Sequence, residues 1–145
     1  MIKIICLGKI KEDYLNKLIE DYKKRISKYH KLEIVELNDT NDLEKESVDI
    51  SKHINNQDYV IALDIDGENL DSISLAKKID NTFLNHGTIT FIIGSSNGLH
   101  QNIKKRANYR LSFSKLTFPH GLFRGILLEQ IYRSFKILNN ETYHK

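Results

Sequence analysis

The chain has 145 residues, 40% hydrophobic and 28% charged, a balance typical of one globular domain that spans residues 1–145. A net charge of +3 excludes binding to nucleic acid by bulk charge alone but still permits an anionic partner. The single cysteine excludes disulfides and Cys/His zinc spacing, and neither a membrane-span segment nor a signal peptide is found. We therefore expect a cytoplasmic protein without membrane or metal partners.

Apolar segments that read as strands alternate with helical segments along the chain. Residues 1–7 predict a strand buried on both faces, with Cys6 packed as a small hydrophobe, and residues 32–37 alternate as a half-buried or edge strand should. Further strands are predicted at residues 59–63, 88–93 and 109–113, the first of them closed by a turn at residues 64–67. Helices are predicted at residues 14–29, 42–55, 71–83, 99–107 and 119–139.

This alternation predicts an α/β fold with a mostly parallel sheet and helices on both faces. Ligands of such sheets bind at the carboxyl ends of the strands. Three loops therefore compete for the site, at residues 63–67, 94–98 and 113–120.

The last predicted helix is apolar almost all round, which indicates that its own domain and a second copy of the chain both cover it. We therefore expect a homodimer. Arg124 lies among these apolar positions, where an unpaired guanidinium would be costly. It either reaches solvent or an acid, or it meets an anion such as an RNA phosphate or a cofactor carboxylate. Glu129 and Arg133 are spaced for a surface ion pair.

The side chains in the three loops leave several chemistries open. The glycine-rich segment 94–98 could face an anion, but it lacks the dinucleotide and P-loop spacings. Asp64 and Asp66 resemble the aspartyl nucleophile motif of a family of phosphatases. Because that family carries the motif on its first strand and this chain carries it on the third, a capped turn is favoured. His120 is either an acid–base group or a helix-start residue. A cluster of basic residues follows the segment 94–98 and forms either a solvated face or an RNA-binding one. Its members are Lys104, Lys105, Arg106, Arg110 and Lys115.

Four strings together carry a resemblance to a known family. They are IKIICLGKIK, LDIDG, FIIGSSNGL and TFPHGLFRGILLEQIYRSFKILNNETYHK, which begin at residues 2, 63, 91 and 117. Over essentially its full length the chain resembles the bacterial methyltransferases that modify N3 of a pseudouridine in 23S rRNA, small members of the SPOUT superfamily. The resemblance implies a C-terminal trefoil (α/β) knot, S-adenosylmethionine as the cofactor, and a homodimer that acts on the helix 69 loop in the assembled ribosome.

The resemblance also assigns residues to the site. The cofactor would be held, mainly by backbone groups, by Leu63, Gly94, Phe113, Ser114, Lys115, Leu116, Thr117 and Phe118. Arg124 would bind RNA phosphate or steer the base, and Tyr143 or His144 would contact the target base from a flexible tail. Ser95 stands where many relatives carry a second glycine, and Gly125 stands where they carry a branched aliphatic residue. The alternative is a non-catalytic, ribosome-binding relative with the same fold.

Overall fold

The computed structural model describes all 145 residues, with five strands in one sheet. The strands are β1 (Ile2–Leu7), β2 (Leu32–Leu37), β3 (Tyr59–Asn69), β4 (Ile89–Ile93) and β5 (Tyr109–Ser112). The helices are α1 (Asp13–Ser27), α2 (Leu43–Ser51), α3 (Ser72–Phe83), α4 (Gln101–Arg106) and α5 (His120–Leu138). The strand order is β2-β1-β4-β3-β5 and all four neighbouring pairs are parallel, so the predicted α/β fold is confirmed.

Alternate side chains of each central strand enter two separate cores. Ile4 and Phe91 pack with residues of α1, α3 and α5 on one face of the sheet. Ile5 and Ile92 pack with residues of α2 and α4 on the other face. Helices therefore cover both faces, as predicted, because each parallel crossover must return over one of them.

The depth of each strand follows its sequence pattern. Every residue of β1 is buried, whereas the alternating strand β2 is half-buried at the sheet edge, and both predictions are confirmed. Cys6 is buried within β1, and this burial raises the pKa of its thiol to about 11.

The turn predicted at residues 64–67 is wrong, because β3 continues through it to Asn69. The pairing with β5 shifts register between Leu63 and Glu68, and the strand resumes beyond this bulge. The side-chain amide of Asn69 donates to the backbone carbonyl of Ser112 at 2.9 Å, which holds the extension in place. A Cβ on Gly67 would lie 2.6 Å from the Arg110 carbonyl oxygen, so the bulge needs glycine there.

Helix α5 lies between α1 and α3 on one face of the sheet. Its Leu127, Leu128 and Ile131 are fully buried, while Leu122 on another side is 37% exposed. A Cβ on Gly125 would lie 2.8 Å from Leu18 Cδ2, so this glycine lets α1 approach closely. No helix of the structure is both long and apolar enough to cross a membrane. The knot implied by the resemblance stays a prediction.

Asp42 is the N-cap of α2 and allows a test of what stabilises the start of this helix. The Asp42 carboxylate accepts from the N–H groups of Glu44 and Lys45. We expect Asp42→Ala to lower the free energy of unfolding by about 1 kcal/mol, measured by urea titration. Asp42→Asn should retain most of that stability because an Asn side chain also caps; equal losses in both variants would contradict a capping role.

Candidate functional site

The three loops predicted to compete for the site meet around one cavity of about 530 Å³. It lies at the carboxyl edge of the sheet, beyond the ends of β4 and β5 and beside the bulge of β3. Its volume falls within the range of small-molecule pockets, roughly 300–1,000 Å³. It is lined by seven of the predicted cofactor residues, Leu63, Gly94, Phe113, Ser114, Leu116, Thr117 and Phe118. Lys115, the eighth, is exposed and does not line it.

Asp64 forms the β3 side of the cavity and is held by two cations. Its carboxylate lies 3.5 Å from the Lys104 ammonium and 3.3 Å from the Arg110 guanidinium, and it also accepts from the backbone N–H of Asp66. The phosphatase interpretation loses its basis, because this carboxylate is engaged within the fold. No group of three or more His, Cys, Asp or Glu side chains is placed to hold a metal ion.

The loop from Gly94 to Gly98 is a tight turn after β4. A Cβ on Gly94 would lie 2.5 Å from the carbonyl oxygen of Gly98, so no larger residue fits there without opening the loop. Gly98 has a φ of +82°, which favours glycine, and its N–H donates to the Ser95 carbonyl at 2.9 Å. This turn keeps the backbone close to the cavity.

The segment between β5 and α5 supplies an aromatic wall and free backbone groups. The rings of Phe113 and Phe118 both pack on Phe123, with centroids 5.2 and 5.7 Å away. The N–H groups of Lys115 and Thr117 make no hydrogen bond within the chain. The hydroxyl of Ser114 instead accepts from the N–H of Leu116 at 3.0 Å, so it shapes the loop rather than capping α5.

His120 is the first residue of α5 and also lines the cavity. Its Nε2 hydrogen bonds to the carbonyl oxygen of Leu7, so Nε2 must donate a proton to it. The imidazole therefore ties the start of α5 to the end of β1. This placement confirms a helix-start role among the two predicted for His120.

Arg124 is only 2% exposed and does not line the cavity. Its guanidinium donates to the carboxylate of Glu36 and, at 3.1 Å, to the carbonyl of Gly8. Pairing with an acid, one of the sequence-based alternatives, is thus what the structure shows. The predicted contact with RNA phosphate is not supported by this placement, because the charge is turned inward to β1 and β2.

The tail expected to be flexible is docked on α5. The Tyr143 hydroxyl donates to Glu129 at 3.1 Å, and its ring meets Tyr132 edge-on with centroids 5.0 Å apart. Burial raises the pKa of Tyr143. Arg133 donates to the same Glu129 and contacts His144 Nδ1 at 3.1 Å. The predicted Glu129–Arg133 pair is therefore present, but it also serves as the dock for the tail.

His144 lines a second cavity, of about 510 Å³, next to the first. The two cavities share Leu111 and Phe113 in their walls. Polar groups of Asp71 and Gln130 line the second cavity as well. The predicted cofactor loops and the predicted tail residue His144 thus line neighbouring cavities of the same chain.

Sequence reasoning missed two features of the site. Phe123 was not among the predicted site residues, yet it lines the cavity; its position four residues after Pro119 was the available signal. The predicted basic cluster is also divided in space. Arg106 donates to the carbonyls of Asn55 and Asp58 near the start of β3, away from the cavity, whereas Lys104 and Arg110 stand beside Asp64.

Comparisons with known proteins agree with this picture. The family model described as "Predicted SPOUT methyltransferase" matches residues 1–144. The ribosomal RNA large subunit methyltransferase H of Clostridium botulinum (strain 657 / Type Ba4) is 50% identical over 157 aligned residues, covering 99% of both chains. The protein of the same name from Caldicellulosiruptor saccharolyticus is 46% identical over 154 aligned residues, covering 100% of both.

Two solved structures share the fold at low sequence identity. The TrmH/SpoU tRNA modifying enzyme of A. aeolicus matches with a TM-score of 0.51 and 10% identity, over 95% of this chain and 77% of that one. The SpoU methyltransferase AviRb of Streptomyces viridochromogenes matches with a TM-score of 0.52 and 11% identity, over 98% of this chain. The match spans 62% of the AviRb chain.

The inward placement of Arg124 predicts a structural effect of its removal. Arg124→Met should lower the free energy of unfolding in urea by about 2 kcal/mol, because it removes a buried guanidinium that pairs with the exposed Glu36 and donates to the Gly8 carbonyl. The exposed pair of Arg25 with Asp21 provides a control, and Arg25→Met should cost at most about 1 kcal/mol. An Arg124→Met protein as stable as the unmodified chain would contradict the structural role.

Proposed function

The chain belongs to the SPOUT methyltransferase family, and on that premise we propose that it methylates N3 of a pseudouridine in the helix 69 loop of 23S rRNA, with S-adenosylmethionine as the donor. The names of the relatives that match it end to end support the large-subunit rRNA as substrate. The observation that carries the proposal is the cavity where the three loops meet, because it offers one small-molecule site at the carboxyl edge of the sheet.

The residues of the cavity fit S-adenosylmethionine. The phenylalanine wall formed by Phe113, Phe118 and Phe123 suits an adenine ring. The unpaired backbone N–H group of Thr117, which lines the cavity, suits a polar atom of the ribose or of the methionine carboxylate. When bound, the cofactor supplies a methyl group on a positively charged sulfur.

The protein's task is to position the acceptor and to ease loss of its proton. N3 of pseudouridine lies in an imide, so it is a poor nucleophile until deprotonated, and it must then face the methyl group in line. The second cavity adjoins the first across Phe113, so a base seated there would lie next to the methyl donor. The polar residues that line that cavity are Asp71, Ser72, Gln130 and His144.

Tyr143 or His144 is proposed to contact the target base, and His144 is the one that lines the second cavity. A guanidinium only donates hydrogen bonds, so the contact with Arg133 leaves His144 Nδ1 as the acceptor. With Nδ1 accepting, the ring proton lies on Nε2, which can donate a hydrogen bond to an oxygen of the base. Tyr143 positions the ring by anchoring the tail to Glu129.

A homodimer is proposed from the apolar surface that the chain leaves open. Tyr14 is 71% exposed and Leu122 is 37% exposed, and both line one groove between the starts of α1 and α5. Leu116, at 73% exposure, extends the apolar character of this end of the molecule. We also propose that α5 passes through the knot of the family and that the protein acts in the cytoplasm, where ribosomes are found.

Calorimetric titration with S-adenosylmethionine, followed by assay on ribosomes that lack the modification, tests the proposal. We expect saturable binding and transfer of one methyl group to N3 of the pseudouridine, identified by mass spectrometry of the rRNA. Binding of the cofactor without methylation of any ribosomal substrate would contradict the proposed reaction. A folded protein that binds ribosomes but no cofactor would be a non-catalytic relative.

Changing the tail should separate catalysis from cofactor binding. His144→Ala should lower the methylation rate by about 100-fold, as expected when a contact that positions the base is lost, and leave cofactor affinity unchanged. The exposed neighbour Lys145 provides the control, since Lys145→Ala should retain most of the activity. Removal of residues 143–145 should abolish methylation; full activity of the truncated protein would rule out a role for the tail.

The dimer is tested by a charge in the apolar groove. Leu122→Lys should shift the protein from dimer to monomer in sedimentation, because an unpaired ammonium cannot be buried in an apolar interface without a large cost. Leu84 is 78% exposed at the end of α3 and provides the matched control, so Leu84→Lys should leave the dimer intact. A Leu122→Lys variant that still dimerises would contradict an interface on this surface.

A further inference from the structure

Glu46 in α2 is a buried carboxylate that the proposed reaction does not use. It is 2% exposed, and no lysine, arginine or histidine nitrogen lies within 4.0 Å of it. Burying a carboxylate without a cation is costly unless hydrogen bonds satisfy its oxygens. Its position in the first turn of α2, at the positive end of the helix dipole, lowers that cost.

The two oxygens of Glu46 join two different loops. Oε2 accepts from the backbone N–H of Thr40 at 2.9 Å, in the connection between β2 and α2. Oε1 accepts from the hydroxyl of Ser95 at 3.2 Å, in the turn after β4 that lines the cavity. The hydroxyl of Ser95 in turn accepts from the N–H of Asn97 at 3.3 Å.

This chain of hydrogen bonds determines the shape of the turn. Because the Ser95 hydroxyl gives its proton to Glu46, its oxygen is left to accept from Asn97, and the Ser95 carbonyl accepts from Gly98. The carboxylate thus orients one side chain that supports two backbone groups of the turn. An apolar residue could fill the same space, but it could not impose this orientation.

We propose that Glu46 is a positioning residue for the cofactor site, acting through Ser95 to hold the turn from Gly94 to Gly98 in its binding shape. The cofactor part of this inference rests on the proposed function, whereas the hold on the turn does not. Glu46 touches neither cavity, so it acts only through Ser95.

The test compares Glu46→Gln, Ser95→Ala and the double variant with the exposed neighbour variant Glu44→Gln. An amide at residue 46 cannot accept at both oxygens, and alanine at residue 95 removes the acceptor for Asn97. We expect each single variant to weaken S-adenosylmethionine binding by about tenfold, the equivalent of roughly one hydrogen bond. The double variant should bind S-adenosylmethionine no more weakly than the single variant with the lower affinity, because both changes break the same connection.

Two further readouts separate positioning from general stability. The effect should fall on KM for S-adenosylmethionine, with kcat at saturating cofactor retained, and amide exchange of Asn97 and Gly98 should speed up in the free protein. Glu44→Gln should change none of these. Variants that lose stability in urea, but whose amide exchange and cofactor affinity equal those of the unmodified protein, would overturn the proposal. Glu46 would then be a structural residue only.

The exchange measurement keeps the two proposals distinguishable. If the unmodified protein bound no S-adenosylmethionine, the proposed function would fail, and amide exchange would still decide whether Glu46 holds the turn. If the protein bound the cofactor and both single variants bound it equally well, the role of Glu46 would fail and the proposed function would stand. Ser95→Ala supplies the same decision should Glu46→Gln fold poorly.

Discussion

The packing of α5 onto the sheet is the constraint on which the rest of the site depends. Leu127, Leu128 and Ile131 are fully buried there, and burial of each such side chain contributes about 1.5–3 kcal/mol. The helix is thereby held between α1 and α3. The start of α5 follows the loop between β5 and α5 that lines the first cavity, and the tail with Tyr143 and His144 follows its end. One apolar face thus places both halves of the proposed site.

Polar groups at the carboxyl edge supplement this apolar packing. His120 and Arg124 tie the start of α5 to the backbone that ends β1, and Asp64 gathers two cations beside the cavity. Glu46 joins two loops from the opposite face of the sheet. A buried charge is costly unless it is paired or hydrogen-bonded, so Asp64, Arg124 and Glu46 each need the partners that these contacts supply.

The cavity walls differ in how readily a sequence reveals them. The turn after β4 was predicted, because glycines at the end of a β-branched run are a local signal. The extension of β3 was not predicted, because residues 64–67 carry the composition of a turn. The strand resumes after them because Glu68 and Asn69 pair with residues of β5 more than 40 positions away, as in the bond from Asn69 to Ser112. The sequence left the partner of Arg124 open for the same reason, because Glu36 lies 88 residues earlier in the chain.

The sequence by itself determined the α/β class, the order of strands and helices, the three loops that line the first cavity, and the family. Hydrophobic periodicity and turn chemistry act over a few residues, so they are legible in a linear string. Only the tertiary structure decided that Arg124 turns inward, that Tyr143 and His144 dock on Glu129 and Arg133, and that Glu46 reaches Ser95. Such contacts join residues that are distant along the chain or on different elements, and their geometry exists only once the helices have packed on the sheet.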